Sequence, residues 1–395
     1  MPHLKVTPFD NAMMDAKVAK STLMTFRARA LKGEDEILGI EHGGEEFLLQ
    51  LKPGKRETLL KYDKVTRPLK VNLLKEALDR VAKELDLEIT GSNTARTNSK
   101  PPLASAYFKK IEDFETITYP REKLSVEVGF GSGRHLLWQA QKNPDTLFIG
   151  LEIHTPSAQQ VLRQIELQGV ENIWVVNYDA RLFLEMLPSN RCEQIFVHFP
   201  VPWDKKPHRR VISPSFLAES MRVLRKGGRL ELRTDSDNYF WYAMETFFAV
   251  PKTEVEIRKN EMLEVTSKYE ARWRKQEKDI YDLYVKCREE SPQKEEKITF
   301  SFQGLAYRAG MEKRLPKKAQ VYTDYFVHFE RCYRVGEEAL LIKCAFGSFD
   351  RPEHKYLLMG AEGSRYFGSP PVKTGVNHAA HQKMVELLLK KENDV

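Results

Sequence analysis

Cysteine is scarce and scattered in this 395-residue chain: Cys192, Cys287, Cys332 and Cys344 stand alone, with no Cys-x-x-Cys spacing. That argues against a disulfide framework and against thiolate zinc sites, and all four thiols are expected to be reduced. Long apolar runs are also missing. Nothing approaches the roughly 18 residues that span a bilayer, and the opening Met1-Pro-His-Leu-Lys-Val-Thr-Pro8 has no secretory apolar segment. No membrane partner and a cytoplasmic location are therefore expected. Nor does charge of one sign dominate. Against 63 Lys plus Arg stand 56 Asp plus Glu, a net charge of +7 that suits a polyanionic partner without requiring one.

The chain does have length enough for two or three domains. Residues 1–92 read as a small α+β domain, with strands over 26–30, 37–40 and 47–51 separated by Gly33 and Gly43-Gly44 turn signals. A helix over 69–87 follows from Val71, Leu74, Leu78, Val81 and Leu85 at 3.6-residue spacing. Lys52, Lys55, Arg56, Lys61, Lys64, Arg67 and Lys70 make a basic stretch, read first as solvated surface and second as a nucleic-acid contact. Residues 93–104 and 291–297 have linker composition. Residues 298–395 read as a mostly β accessory domain, opening on alternating Ile298, Phe300 and Phe302 and closing in a helix over 378–390.

Between the linkers, residues 105–290 alternate strand and helix, which predicts an α/β fold with a mostly parallel sheet covered on both faces. Strands are expected over 124–128, 147–151, 173–176, 194–198 and 229–233, with an antiparallel finish over 254–258 and 281–287. The helices fall over 157–167, 181–187, 214–224 and 239–248.

The first of these strands runs into Glu127-Val-Gly-Phe-Gly-Ser-Gly133. Gly129, Gly131 and Gly133 suit a sharp turn that keeps side chains out of a ligand's way. About twenty residues on, the second strand ends in Glu152, where a carboxylate can accept hydrogen bonds from a ribose. A glycine-rich turn alone fits dehydrogenases, methyltransferases and ordinary tight turns equally. Glu127 and Glu152 shift the balance, because an acidic pocket repels a pyrophosphate and welcomes the sulfonium and ammonium of S-adenosylmethionine. Asp179, after the third strand, is read as an acceptor for an adenine amine, with the N-cap of the next helix as the alternative.

The fourth strand leads into Phe199-Pro-Val-Pro-Trp-Asp-Lys-Lys-Pro-His-Arg-Arg210. Two prolines rule out regular structure and hold Trp203 in a stiff loop, while Lys205, Lys206, Arg209 and Arg210 put four cations within six residues. At the carboxyl edge of such a sheet, an aromatic among cations suits an RNA backbone and a splayed-out base.

Together these motifs resemble the bacterial tRNA (guanine-N7)-methyltransferase family over about residues 105–288. The resemblance rests on the 127–133 loop, Gly150-Leu-Glu-Ile-His154, Tyr178-Asp-Ala180, the proline-tryptophan-basic loop, Thr234-Asp235 with Tyr239, and Ser267-Lys-Tyr-Glu270. It implies a Rossmann-like class I methyltransferase sheet, S-adenosylmethionine as cofactor and tRNA as partner, the target being a variable-loop guanosine. Glu127, Gly129, Gly131, Gly133, Glu152 and Asp179 are then expected to hold the cofactor. Lys205, Arg209, Arg210, Thr234, Asp235, Tyr239, Ser267, Lys268 and Glu270 are expected to meet the substrate. The chain departs from the family at Val201, where an Asp usually stands between the prolines, so that role falls to Asp204 or Asp235 as candidate catalytic residues. Guanine N7 carries a lone pair and no proton, so the chemistry tolerates the loss. Two other readings stay open: a catalytically silent tRNA-binding protein, and a methyltransferase for another RNA. Monomer and homodimer are equally compatible with the sequence.

Overall fold

The computed structural model describes residues 2–8, 11–66, 71–95, 106–265, 270, 276–294, 298–349 and 351–390. It divides into two compact units, Pro101–Lys297 on one hand and Met1–Lys100 with Ile298–Val395 on the other.

In the unit built from both chain ends, the first segment supplies β1 (His3–Val6), α1 (Asn11–Val18), β2 (Met24–Ala30), β3 (Glu36–His42), β4 (Glu45–Pro53), β5 (Thr58–Tyr62), α2 (Val71–Glu84) and β6 (Ile89–Ser92). Helix α2 forms where the sequence spacing predicts, burying Leu74, Leu78 and Val81 in the core beneath β3 to β5. The last segment contributes β15 (Gln320–Val321), β16 (Phe326–Val335), β17 (Ala339–Gly347), β18 (Glu353–Gly360) and β19 (Gly363–Phe367), with a long closing helix at Gly375–Leu389. Residues 1–92 and 298–395, expected from the sequence as two accessory domains, share one sheet. Strand β16 pairs antiparallel with β2, placing Tyr333, Arg334 and Val335 opposite Ala30, Arg29 and Ala28. Arg331 seals the seam through Asp35 at 2.6 Å. The joined sheet curls, since Arg365 on β19 meets Glu46 on β4 at 2.7 and 2.8 Å, and Phe367 packs edge-on against Phe26. One core draws on both ends, including Ala28, Ile37 and Leu48 with Tyr333, Leu341 and Tyr356. Phe300 and Phe302 do not open a strand; they lie in irregular chain and pack their rings against His381.

The other unit carries the predicted α/β sheet. In chain order its elements are β7 (Phe108–Lys109), β8 (Lys123–Val128), α3 (Arg134–Lys142), β9 (Thr146–Leu151), α4 (Thr155–Gln168), β10 (Ile173–Val176), α5 (Ala180–Phe183), β11 (Cys192–His198), α6 (Pro214–Val223), β12 (Leu224–Thr234), α7 (Asp237–Phe248), β13 (Glu254–Lys259) and β14 (Tyr281–Lys286). Across the sheet they run β13-β14-β12-β11-β8-β9-β10-β7, parallel from β12 to β7 and antiparallel at β14 and β13. Strand β9 is buried along its whole length, as befits a parallel strand covered on both faces. The chain winds outward from β8 in both directions, so the switch point lies between β8 and β11, with the carboxyl ends of both facing one crevice. The described part of the second linker is not loose. Ser189 and Asn190 donate to the carbonyls of Pro292 and Ser291 at 2.8 and 2.6 Å, docking it onto this unit. Among the described residues no helix is long and apolar enough to cross a membrane, and no cluster of metal-ligating side chains forms.

Candidate active site

Six parallel strands deliver their carboxyl ends to one edge, and five of them, β8 to β12, lead into most of the residues that the sequence singles out. The Gly129 N–H donates to the carbonyl of Leu151 at 2.8 Å, tying the turn after β8 to the end of β9. All three glycines take positive φ: 68° at Gly129, 54° at Gly131 and 72° at Gly133. Their roles differ. A Cβ on Gly129 would meet nothing within 4 Å, and one on Gly131 only the Gly129 carbonyl at 3.9 Å, whereas one on Gly133 would lie 2.3 Å from Val161 Cγ2. The first two therefore border open space and the third lets α3 close onto α4.

Glu152 is buried at the end of β9 and is already engaged: Oε2 accepts from the Gly131 N–H at 3.0 Å, and Oε1 from the His154 N–H at 2.9 Å. This acid fixes the shape of the cradle as well as its charge. Glu127, also buried, accepts from His135 Nδ1 at 2.8 Å. Asp179 caps α5, accepting from the Arg181 N–H at 3.0 Å and pairing with its guanidinium at 2.8 Å. The capping alternative is thus present in the structure, and the carboxylate remains about one-third exposed.

The loop after β11 is rigid for reasons beyond its prolines. Phe199 and Trp203 both hold positive φ, 49° and 46°, conformations that non-glycine residues keep only when their surroundings impose them. Arg210 supplies much of that constraint. It is buried, donates from Nε to the Pro202 carbonyl at 2.7 Å, and stacks on Tyr242 and Tyr239 at 4.5 and 5.3 Å. Tyr239 is itself fully buried and accepts from the Ile212 N–H at 3.0 Å. Arg210 and Tyr239, expected at the substrate surface, are committed to the loop's scaffold instead. The exposed face carries Lys205, Lys206 and Arg209, with Arg209 over the Trp203 ring at 5.1 Å.

Beyond β12, Thr234 is buried and its hydroxyl accepts from the Ser236 N–H at 3.2 Å. It shapes the turn into α7 and offers no exposed surface to a substrate. Asp235 pairs with Lys278 at 3.0 Å and keeps 18% of its side chain exposed; Asp204 is more open, at 52%. Glu270 does not face solvent either, because it is buried and accepts from Arg233 at 2.8 Å. Arg233 also pairs with Asp282 beneath the site. Burial pushes Asp282 up to about 6 against the pull of that guanidinium. Ser267 and Lys268 lie outside the described residues. Val201 is exposed at the loop tip, so the missing family carboxylate leaves an apolar side chain there.

A family model described as "Putative methyltransferase" matches residues 121–283. A tRNA (guanine-N(7)-)-methyltransferase of Wolinella succinogenes is 41% identical over 98% of this chain and 100% of its own. The chain belongs to the tRNA (guanine-N7)-methyltransferase family. A Campylobacter jejuni member is 40% identical over 87% of this chain, and one from Helicobacter hepaticus 37% identical over 89%. Since the Wolinella relative matches along almost the whole chain, the segments at the two chain ends have counterparts in it and are not an addition private to this chain.

Membership makes S-adenosylmethionine the methyl donor, and the cradle fits it. The space over Gly129 and Gly131 is free of side chains, and the two carboxylates beside it, Glu127 and Glu152, suit a cationic ligand.

The buried partners behind these residues stand outside every sequence motif named above. His135 on Glu127, Glu231 on His198, and Asp282 on Arg233 occupy strand and helix positions where an apolar residue is the default. The available signal was the charge itself: along β12 Arg229, Glu231 and Arg233 alternate with Leu230 and Leu232, and Glu231 and Arg233 are buried along with the leucines.

Proposed function

We propose that this protein transfers a methyl group from S-adenosylmethionine to N7 of a variable-loop guanosine, position 46 of tRNA, in the cytoplasm where tRNA is used. The observation that carries the site assignment is the convergence, on one sheet edge, of a glycine cradle braced by Glu152 and a stiff loop presenting Lys205, Lys206 and Arg209. Glu127, Glu152 and Asp179 hold the cofactor together with the backbone at Gly129, Gly131 and Gly133. Lys205 and Arg209 engage the phosphates, with Trp203 as a stacking platform.

The cofactor, when bound, supplies an electrophilic methyl on a sulfonium. Because N7 has a free lone pair, this chain needs no general base. Its residues must align the ring, exclude water and offset the positive charge that builds on guanine. Asp204 and Asp235 take that last task, in the role of the acid absent at Val201. The paired, largely shielded Asp235 suits the guanine N1 and N2 donors, and the open Asp204 suits the loop's approach to RNA.

Incubation with labelled S-adenosylmethionine and unmodified tRNA, followed by aniline cleavage, tests this reading. Cleavage at the variable-loop guanosine is expected. Label at another nucleotide would reassign the substrate, and cofactor binding without transfer would point to a silent tRNA binder.

A further inference from the structure

Helix α3 carries a directional chain of hydrogen bonds on side chains four residues apart. Asn143, which ends the helix, donates from Nδ2 to the side-chain oxygen of Gln139 at 3.3 Å and to its backbone carbonyl at 2.9 Å. That contact orients the Gln139 amide, so its Nε2 faces His135 Nε2 at 3.1 Å as a donor. An imidazole that accepts at Nε2 carries its proton on Nδ1, and Nδ1 lies 2.8 Å from Glu127 Oε2. The bonds therefore run in one sense, from the far end of α3 to the acid beside the cradle.

The ring is clamped as well as bonded. Phe196 packs edge-on at 4.9 Å and the His198 ring lies at 4.5 Å. His198 is in turn fixed by Glu231 at 2.8 Å, a buried carboxylate that Arg229 approaches to 3.8 Å. The titratable and charged groups around His135 are thus Glu127 on β8, His198 on β11, and Glu231 and Arg233 on β12. Glu127, Phe196 and Glu231 sit side by side across β8, β11 and β12, so the sheet register itself sets this pocket.

We infer that His135 is a positioning residue for the cofactor site: it pins one oxygen of Glu127 so that the carboxylate meets the cationic cofactor in a fixed orientation. Gln139 and Asn143 set its tautomer, and His198 with Glu231 walls it in. This rests on the assignment of Glu127 to the cofactor, and the test separates the two.

Full-length wild type and the variants His135→Phe, His135→Asn, Glu127→Gln and the double variant Glu127→Gln/His135→Phe would be titrated calorimetrically with S-adenosylmethionine, with thermal melts alongside. Losing a hydrogen bond to a charged group is expected to weaken binding by about 10-fold or more in His135→Phe. His135→Asn places an amide donor near the Nδ1 position and should restore affinity to within about 3-fold, which a purely structural role would not predict. The double variant should bind no more weakly than Glu127→Gln alone, since both remove one interaction. If His135→Phe fails to fold, His135→Gln, whose amide falls near Nε2 and misses Glu127, takes its place with the same expected loss. Wild-type affinity in His135→Phe alongside weakened Glu127→Gln would overturn the positioning role and leave the cofactor site intact. Unchanged affinity in Glu127→Gln would overturn the assignment of Glu127 itself.

Discussion

Arg209 and Arg210 are neighbours in a basic loop, yet the structure gives them opposite jobs, and substitution can tell them apart. Arg210→Ala removes a charged hydrogen bond to the Pro202 carbonyl at 2.7 Å and stacking on two tyrosines at 4.5 and 5.3 Å. The hydrogen bond is worth about 1.5–3 kcal/mol and a desolvated cation–π contact about 2, so the combined loss is about 3–5 kcal/mol. In a unit of this size each kcal/mol moves the melting temperature by about 2–4 °C, which predicts a fall on the order of 10 °C. Freed of this constraint, the loop should lose its strained turns at Phe199 and Trp203, raising KM for tRNA while cofactor affinity stays near wild type. Arg209→Ala deletes an exposed cation that lies over the Trp203 face. It should raise KM for tRNA several-fold with a melting temperature within about 1 °C of wild type, as for other surface changes. Thermal melts by circular dichroism, calorimetry with the cofactor and steady-state kinetics with tRNA give all three readouts. A wild-type melting temperature in Arg210→Ala with an elevated KM would refute the scaffold role and return Arg210 to the substrate surface.

Three further tests follow from the site. Gly129→Ala should bind cofactor at least 10-fold more weakly at a backbone cost of about 1–2 kcal/mol, whereas Gly133→Ala, clashing with Val161, should lower the melting temperature more; the reverse order would mean the cradle is drawn wrongly. Asp235→Asn should lower kcat with little change in cofactor affinity, and Glu152→Gln should weaken the cofactor first; calorimetry and kinetics on both variants check the split. The third concerns pH. Although burial opposes it, the hydrogen bond from His198 holds the Glu231 carboxyl below its ordinary value. A depressed acid contributes stability that is present above its unfolded value, about 4.3, and is lost as pH falls through the folded one. Melting temperatures should therefore fall less steeply below about pH 4.3 in Glu231→Gln than in wild type, and an identical acid slope in the two proteins would contradict the pairing.

The methyltransferase sheet was legible because buried parallel strands announce themselves: Ile173–Val176 is apolar throughout, and Leu124, Val126 and Val128 alternate as a strand must. The cradle was legible from glycine spacing and the acid twenty residues on. Facing was harder. Thr234, Tyr239 and Glu270 stand at motif positions, but a motif names residues without saying which way they point, and each turned out to be buried. The seam between β2 and β16 was illegible for a different reason. Alternation marks which face of a strand is apolar, but Ala28 and Val335 carry nothing that names a partner some three hundred residues away.

That seam has a consequence for synthesis on the ribosome. Strand β2 emerges early, and the strand that covers its edge is made only after the whole α/β unit has been translated. The first hundred residues must wait with an open sheet edge, the kind of surface that invites pairing between chains. The enzyme's central unit, made second, is free to finish folding first. A shortened chain ending before residue 298 would keep every residue assigned here to the active site and still present that unpaired edge permanently, so its failure would report on aggregation before it reported on tRNA.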